Sequence, residues 1–271
     1  MKPLSSNQPI GIFDSGIGGL TIAKEVVRQL PQESIVYFGD TAHLPYGDKS
    51  TAAIQAYSVK IAHLLLQQRC KLILIACNSA ASAAYELVKE YVGKQALVID
   101  VITPTISYLR EHYANKTIGL IGTKQTVNSN VYKKKIDDLG LNIHLKYYAT
   151  PLLATTIEEG FTNNLVIESL LQEYLSHAEL REIDALVLAC THYPIIKHKI
   201  AEFYQHKLDI IDSSEIVAKA VRSQLEYYQL LNKTTPASKH FYVSDYTESF
   251  LAGTKLFFEE MLKLEHYPLW E

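Results

Sequence analysis

The chain has 271 residues, 48% of them hydrophobic and 20% charged, proportions that are ordinary for a folded globular protein. Its formal net charge of -3 lacks the basic character of a nucleic-acid-binding domain, so no nucleic-acid partner is expected. No apolar run approaches the roughly 18 to 20 residues that span a bilayer, and no signal-peptide core is visible, so we expect a cytoplasmic protein without membrane association.

Strand-like and helix-like segments alternate along the chain, which predicts an α/β fold with largely parallel sheets and right-handed crossovers. Apolar runs predict strands at residues 10–13, 34–38, 71–76, 96–101, 117–123, 143–148, 184–189, 208–211 and 240–243. Helical patterning predicts helices at residues 20–30, 51–68, 79–91, 165–175, 195–204 and 213–228, and one more that ends at residue 138.

Two of these strands end in matching segments that place a cysteine at the same position. Residues 72–79 read LILIACNS, and residues 185–192 read ALVLACTH. The carboxyl ends of parallel strands are where open α/β sheets bind their ligands. We therefore expect Cys77 and Cys190 to lie in a ligand site between two similar α/β units that face one another.

The position of each cysteine, after a strand and before a helix, predicts a lowered thiol pKa, because backbone N–H groups and the helix dipole favour a thiolate. Two such thiols suit a proton acceptor on one side of a substrate and a donor on the other. Cys70 lacks this context and is interpreted as structural. Three scattered cysteines do not form a disulfide framework, and the spacing of Cys190 and His192 does not match a structural zinc site, so no metal is expected.

Several loops offer groups that suit a small anion such as a carboxylate. The glycine-rich loop after Asp14 lets the backbone approach a ligand, although a tight turn with a helix cap fits this loop equally well. Tyr46 and Gly47 are placed to offer backbone N–H groups, and Thr123 adds a hydroxyl at a strand end. Glu158 lies on a predicted loop, where most acidic side chains are merely solvated.

Taken together, four motifs resemble those of the glutamate racemase family of cofactor-independent amino-acid racemases. They occur in the family's order over most of the chain. They are GIFDSGIGGL at residues 11–20, YFGDTAHLPYG at 37–47, ACNSA at 76–80 and LACTHYP at 188–194. One departure is Ser79, where many relatives have threonine, and serine keeps the hydroxyl.

The resemblance implies two similar three-layer α/β domains, related by a pseudo-twofold axis, with the active site in the cleft between them. The first domain comprises residues 1–99 and 209–271, and the second comprises residues 100–208. The resemblance also implies a homodimeric enzyme that interconverts L- and D-glutamate and supplies D-glutamate for peptidoglycan. Cys77 would remove the α-proton of D-glutamate and Cys190 would protonate the opposite face, with the roles reversed for L-glutamate.

The resemblance further implies roles for the neighbours of the two thiols. Asp14 is expected to assist Cys77, His192 to assist Cys190, and Glu158 to be another assisting acid. The expected substrate-contacting residues are Asp14, Ser15, Tyr46, Gly47, Asn78, Ser79, Thr123, Thr191 and His192. The alternatives are an aspartate racemase, a cysteine hydrolase or amidotransferase that uses Cys190 with His192, and a binding protein without enzymatic activity.

Overall fold

A computed structural model describes residues 4–140, 142–233, 237–259 and 261–271, without the side chains of residues 248, 249 and 252. The strands are β1 (Ile10–Asp14), β2 (Ile35–Gly39), β3 (Leu72–Ile75), β4 (Leu97–Asp100), β5 (Thr117–Gly122), β6 (His144–Ala149), β7 (Ala185–Ala189), β8 (Asp209–Asp212), β9 (Lys239–Val243) and β10 (Leu264–His266). The helices are α1 (Leu20–Gln29), α2 (Thr51–Gln67), α3 (Asn78–Val92), α4 (Ile102–His112), α5 (Lys124–Asn128), α6 (Val131–Asp138), α7 (Leu153–Glu158), α8 (Leu165–Leu175), α9 (Lys197–Phe203), α10 (Ser213–Tyr227) and α11 (Glu248–Phe258).

The strands form two parallel sheets. The first has six strands in the order β10-β9-β2-β1-β3-β4, and the second has four in the order β6-β5-β7-β8. Every strand pair within them is parallel. The predicted α/β class with parallel sheets is confirmed.

The central strands carry almost uninterrupted apolar sequence because both of their faces are covered. All residues of β1, β2, β3 and β7 are buried, as expected for parallel strands between layers of helices. Helices α2 and α3 pack together, and α10 packs against α1 and α4. Two of these central strands, β3 and β7, lead directly to Cys77 and Cys190.

Six segments differ from the sequence-based prediction. The helix expected to end at residue 138 is two helices, α5 and α6, because Asn130 between them adopts a left-handed conformation with φ 56°. The helix expected from residue 195 begins as a 3₁₀ turn, Tyr193–Ile196, and continues as α9. Glu158 is the last residue of α7 rather than part of a loop. Helices α4 and α11 and strand β10 were not predicted at all.

Strand pairing bears on the predicted domain limits. Strand β4 of the first sheet extends to Asp100, and β8 (Asp209–Asp212) pairs with β7 in the second sheet. The predicted return to the first domain at residue 209 therefore coincides with the start of a strand that pairs within the second sheet. The division of the chain into a first domain of residues 1–99 and 209–271 and an inserted domain of residues 100–208 stays a prediction.

Within the part of the chain that the structure describes, no helix is both long enough and apolar enough to cross a bilayer. The longest of the described helices, α2, has 17 residues. It buries Ile54, Ile61 and Leu65 against the rest of the protein, so its apolar face belongs to the core.

Candidate active site

The loop between β1 and α1 brings a buried carboxylate to the carboxyl edge of the first sheet. Asp14 ends β1, and its side chain is completely buried. One carboxylate oxygen accepts the Gly16 N–H at 3.0 Å, and the other accepts the Thr191 hydroxyl at 3.3 Å. Burial raises the pKa of Asp14, and nearby His192 and the N–H groups of the loop offset part of that effect. Asp14 therefore links the first sheet to the segment that follows β7.

Cys77 follows β3 and caps the N-terminus of α3. Its sulfur accepts the N–H of Ala80 at 3.4 Å, and its S–H donates to the hydroxyl of Ser15 at 3.6 Å. Burial and the charge of Asp14 raise the pKa of the Cys77 thiol to about 12, although the Ala80 and Ser15 hydrogen bonds act in the opposite direction. The predicted lowering of the pKa is therefore wrong for Cys77, because burial outweighs the helix N-terminus.

Cys190 follows β7 and lies beside an ion pair. The Cys190 sulfur is 3.8 Å from Nδ1 of His192, and Nε2 of His192 is 2.7 Å from the Glu158 carboxylate. Burial alone would lower the pKa of His192, but Glu158 and Cys190 outweigh it and hold that pKa well above its usual range. The imidazole is therefore held protonated between the Cys190 sulfur and the Glu158 carboxylate.

Polar side chains at the start of α3 and α5 meet across the boundary between the two sheets. The hydroxyls of Ser79 and Thr123 are 2.8 Å apart, and Thr123 also caps α5. The hydroxyl of Tyr132 donates to Oδ1 of Asn78 at 2.8 Å. Among the described residues, Nδ2 of Asn78 and Oε1 of Glu158 are buried without a hydrogen-bond partner. Buried polar atoms of this kind need a partner, and a bound ligand would supply one.

The loop after β2 closes over these groups. Tyr46 is buried, and its hydroxyl donates to Asp40 at 2.6 Å. Gly47 lies against Thr123 so closely that a Cβ at residue 47 would be 2.8 Å from the Thr123 Cβ. This contact explains why glycine is needed at residue 47 and adds a packing role to the predicted role of its backbone N–H.

One cavity between the two sheets is lined by both thiols. Its lining residues are Ser15, Leu44, Pro45, Tyr46, Gly47, Cys77, Asn78, Ser79, Thr123, Ala154, Thr155, Glu158, Ala189, Cys190, Thr191 and His192. All the predicted site residues are among them except Asp14. Asp14 contacts the cavity wall through its hydrogen bond with Thr191. The structure holds no cluster of three or more His, Cys, Asp or Glu side chains suited to a metal ion among the residues it describes.

The sequence-based prediction missed five of these lining residues, one of which, Ala189, is the last residue of β7 and directly precedes Cys190. Leu44 and Pro45 precede Tyr46 in a motif that was recognised, but their apolar side chains gave no chemical signal. Ala154 and Thr155 lie one helical turn before Glu158 on α7. The prediction of a loop at Glu158 hid them, because only helical spacing places residues 154, 155 and 158 on one face.

Comparisons with known proteins show which family this chain resembles in sequence and fold. The family model for Asp/Glu/Hydantoin racemases matches residues 10–221. A glutamate racemase of Chlorobium phaeobacteroides is 40% identical over 255 residues, which cover 94% of this chain and 93% of that protein. The structure of glutamate racemase from Francisella tularensis in complex with D-glutamate is 40% identical, with a TM-score of 0.91 and coverage of 98% and 99%. One from Bacillus anthracis is 30% identical, with a TM-score of 0.91 and coverage of 97% and 99%.

Two parallel α/β sheets with a thiol-lined cavity between them, together with these similarities, define the protein as an isomerase. The family match covers more than half of the chain, and the full-length similarities extend over nearly all of it. The chain belongs to the Asp/Glu/Hydantoin racemase family. The resemblance indicated by the four motifs is therefore confirmed.

Proposed function

We propose that this protein interconverts L- and D-glutamate by moving the α-proton between two thiols, without an added cofactor. The observation that carries the proposal is that Cys77 and Cys190 follow strands of different sheets and line the same buried cavity. Inversion at carbon passes through a planar carbanion, so it needs one acid-base group on each face. Two thiols supplied from two sheets meet that requirement.

The proposed step for D-glutamate is balanced without an oxidant or reductant. The Cys77 thiolate takes the α-proton, the C–H electron pair moves into the adjacent carboxylate, and Cys190 gives its proton to the opposite face. Cys77 is then a thiol and Cys190 a thiolate. Protonated His192, 3.8 Å from Cys190, stabilises that thiolate, and reversal of the same steps converts L-glutamate.

The Cys77 thiol needs substrate to become a base. Its pKa of about 12 in the free protein keeps it protonated near neutral pH, because it is buried beside Asp14. The α-ammonium group of a bound amino acid brings a positive charge into the same cavity, and a positive charge within a few ångströms lowers a thiol pKa. We infer that glutamate binding itself favours the thiolate, so deprotonation and binding are linked.

Glutamate is proposed as the substrate on the similarity to proteins that are named glutamate racemase, one of them solved with D-glutamate. The cavity supports a substrate with two carboxylates. The free Nδ2 of Asn78 and the N-terminus of α3 offer donors on one side, and the hydroxyls of Ser15, Ser79 and Thr191 offer more. Such preorganised donors stabilise the negative charge that develops on the α-carboxylate.

Hydroxyls from the two sides of the cleft meet inside the cavity. The Ser79–Thr123 hydrogen bond spans this space, and we propose that it breaks as substrate enters, leaving both hydroxyls to bind the substrate.

We also propose that the product D-glutamate is used for peptidoglycan, and that the enzyme acts in the cytoplasm as a homodimer. A bacterial strain that needs external D-glutamate tests the first point. Expression of this chain should remove the requirement, and expression of Cys77→Ala should not. Analytical ultracentrifugation tests the homodimer, and a monomer at micromolar concentration would contradict it.

The decisive experiment for the reaction uses D₂O. The purified protein is incubated with each glutamate enantiomer separately, without added cofactor, and the products are followed by circular dichroism and proton NMR. We expect loss of optical rotation from both enantiomers, with solvent deuterium at Cα. A protein that exchanges no α-proton from either enantiomer would exclude the proposal, and a covalent acyl adduct on Cys190 would favour a hydrolase.

Variants of the three cysteines test the assignment of the thiols. Cys77→Ala and Cys190→Ala should each lower kcat/KM by about 10³-fold or more, because each removes a general acid-base group. Cys70→Ala is the matched control, since Cys70 is buried in the core of the first sheet and burial raises its pKa to about 12. It should keep the activity of the unmodified protein. Normal turnover in either cavity variant would contradict the role of that thiol.

A further inference from the structure

A second buried carboxylate lies beside the cavity without lining it. Asp40 follows β2 and is completely buried. Its oxygens accept hydrogen bonds from four side chains. The donors and distances are Tyr46 Oη at 2.6 Å, Trp270 Nε1 at 2.7 Å, Ser244 Oγ at 2.8 Å and His43 Nδ1 at 3.0 Å. A buried carboxylate requires such donors, because an unpaired one is very costly.

The donors to Asp40 come from opposite ends of the chain. Tyr46 belongs to the loop that closes over the cavity, whereas Trp270 is the residue before the last. The Trp270 indole also meets the ring of His43 edge-on, with 4.5 Å between ring centroids, and the ammonium of Lys60 lies 4.6 Å from the indole centroid. The segment that carries Trp270 is therefore held against the cavity loop by a defined set of contacts.

The same loop is fixed to the segment after β9. The hydroxyl of Thr41 donates to the carbonyl oxygen of Asp245 at 2.6 Å, and the N–H of Asp245 donates back to Thr41 at 2.8 Å. The N–H of Ala42 donates to Ser244 at 3.0 Å. These bonds hold the start of the loop. The end of the loop, at Tyr46, is held by the hydrogen bonds of Asp40, to which Trp270 also donates.

We propose that Trp270 is a positioning residue that acts on the cavity through Asp40, which in turn holds Tyr46 and Gly47 against Thr123. The inference rests on the proposed function, since it concerns how that cavity is kept in shape. Without the indole N–H, Asp40 loses one of its four side-chain donors. Its carboxylate then rotates to regain a hydrogen-bond partner. Tyr46 shares that carboxylate, so the loop that carries Gly47 shifts with it.

The effect should fall on binding. The loop contributes to the wall of the cavity, whereas the thiols are carried by β3, β7 and the helices after them. A looser loop therefore weakens the binding of the substrate and of the transition state to the same extent. Such a change raises KM and changes kcat little. A hydrogen bond to a buried charge, once lost, should raise KM by about tenfold.

The test removes the indole N–H of Trp270 with the least change in the shape of the side chain. Trp270 is the only tryptophan of the chain, so incorporation of benzothienylalanine in its place exchanges the N–H for sulfur at one position and keeps the ring size. Trp270→Phe and Asp40→Asn are the accompanying genetic variants. Tyr267→Phe is the matched control, because its ring packs edge-on against Phe38 near the same terminus. Steady-state KM and kcat are measured for both glutamate enantiomers.

A second measurement needs no substrate and separates this proposal from the proposed function. Hydrogen exchange of residues 41–48 is compared with that of β3 in each protein. In the benzothienyl protein, the rate of hydrogen exchange should rise at residues 41–48 and stay unchanged at β3. The same protein should have a raised KM and a near-normal kcat. Asp40→Asn should produce the same pattern, and its effect should not add to that of Trp270→Phe, because both act through one carboxylate.

The outcomes are distinct. Unchanged KM and unchanged exchange at residues 41–48 in the benzothienyl protein would overturn the proposal while racemisation by the unmodified protein stands. Faster exchange throughout the protein would make Trp270 a residue of general stability and would also overturn it. If the unmodified protein does not racemise glutamate, the proposed function fails, and the exchange pattern alone decides whether Trp270 positions the loop.

Discussion

Nε2 of His192 and Oε2 of Glu158 are 2.7 Å apart, and both side chains are largely buried. The pair joins α7 to the segment after β7, and Nδ1 of the same imidazole faces the Cys190 sulfur. Burial opposes the charged imidazole, and Glu158 and Cys190 overcome that opposition. We propose that Glu158 is a positioning residue that acts on Cys190 through the charge of His192.

Glu158→Gln should lower the pKa of His192 and reduce racemisation. Burial lowers this pKa, and the neutral amide of glutamine no longer opposes burial with a negative charge. We expect kcat/KM to fall by about 10- to 100-fold. The fall must be equal in both directions, since the equilibrium constant between enantiomers is unity. Initial rates from each enantiomer and NMR titration of His192 check this. Glu159→Gln, at the exposed neighbouring position, is the control and should change neither.

The same pair predicts how stability changes with pH. The pKa of His192 is raised in the folded protein, so its contribution to stability is fully present below its unfolded pKa of about 6.5 and is lost as pH rises through the folded value. Glu158→Gln should therefore destabilise the protein more at pH 6 than at pH 9. Urea unfolding at both values measures the difference, and equal losses of stability at both would contradict it.

The charge of Asp14 should control the reactivity of Cys77. Burial and Asp14 both raise the pKa of this thiol, to about 12, so Asp14→Asn should lower it and increase the thiolate fraction. We expect iodoacetamide at pH 9 to modify Cys77 about tenfold faster in the variant, as one pKa unit implies. Peptide mass spectrometry follows the rate.

Cys70 is an internal control for this measurement. Its pKa is also raised to about 12, but burial is the only cause, so Asp14→Asn should leave its rate of modification unchanged. Faster modification of both cysteines would indicate unfolding rather than a local electrostatic effect. An unchanged rate at Cys77 would show that Asp14 does not act on that thiol.

Much of this architecture follows from sequence because the signals are local. The apolar runs of β3 and β7 and the breaks after them predicted where Cys77 and Cys190 lie. The pKa of Cys77 was not predictable in this way, since it depends on burial by residues distant in sequence. The hydrogen bond between Asp40 and Trp270 joins residues that follow β2 and β10, 230 positions apart in sequence, and only the folded sheet brings them together. Helix α4 was missed even though Ile102, Ile106 and Leu109 have helical spacing.

Gly18 should be essential for the approach of the two sides of the cleft. A Cβ at residue 18 would be 2.3 Å from Cε1 and 2.4 Å from Nδ1 of His192, and 2.7 Å from the hydroxyl of Thr191. Gly18→Ala should therefore displace the segment that carries Cys190. Since about 1 Å of misplacement can reduce a rate 10²-fold, we expect kcat/KM to fall by about that factor. Racemisation assays measure it.

Gly11→Ala is the matched control for Gly18→Ala. A Cβ at residue 11 would also be crowded, at 2.9 Å from the sulfur of Cys70 and 3.1 Å from Leu65, but it would lie in the core away from the cavity. Gly11→Ala should lower the melting temperature and leave the activity of the folded fraction unchanged. A similar loss of kcat/KM in both variants would show that the effect of Gly18→Ala is general.

Tyr132 should orient the amide of Asn78 across the boundary between the two sheets. Its hydroxyl donates to Oδ1 at 2.8 Å, which fixes Oδ1 as the acceptor and leaves Nδ2 as the unpaired donor beside the cavity. Tyr132→Phe removes that constraint and should raise KM for both enantiomers by roughly 2- to 12-fold, the worth of one neutral hydrogen bond, with little change in kcat. Tyr147→Phe removes a comparable bond, to Asn130, outside the cavity and should leave KM unchanged. Equal KM values for Tyr132→Phe and the unmodified protein would show that the Asn78 amide needs no such support.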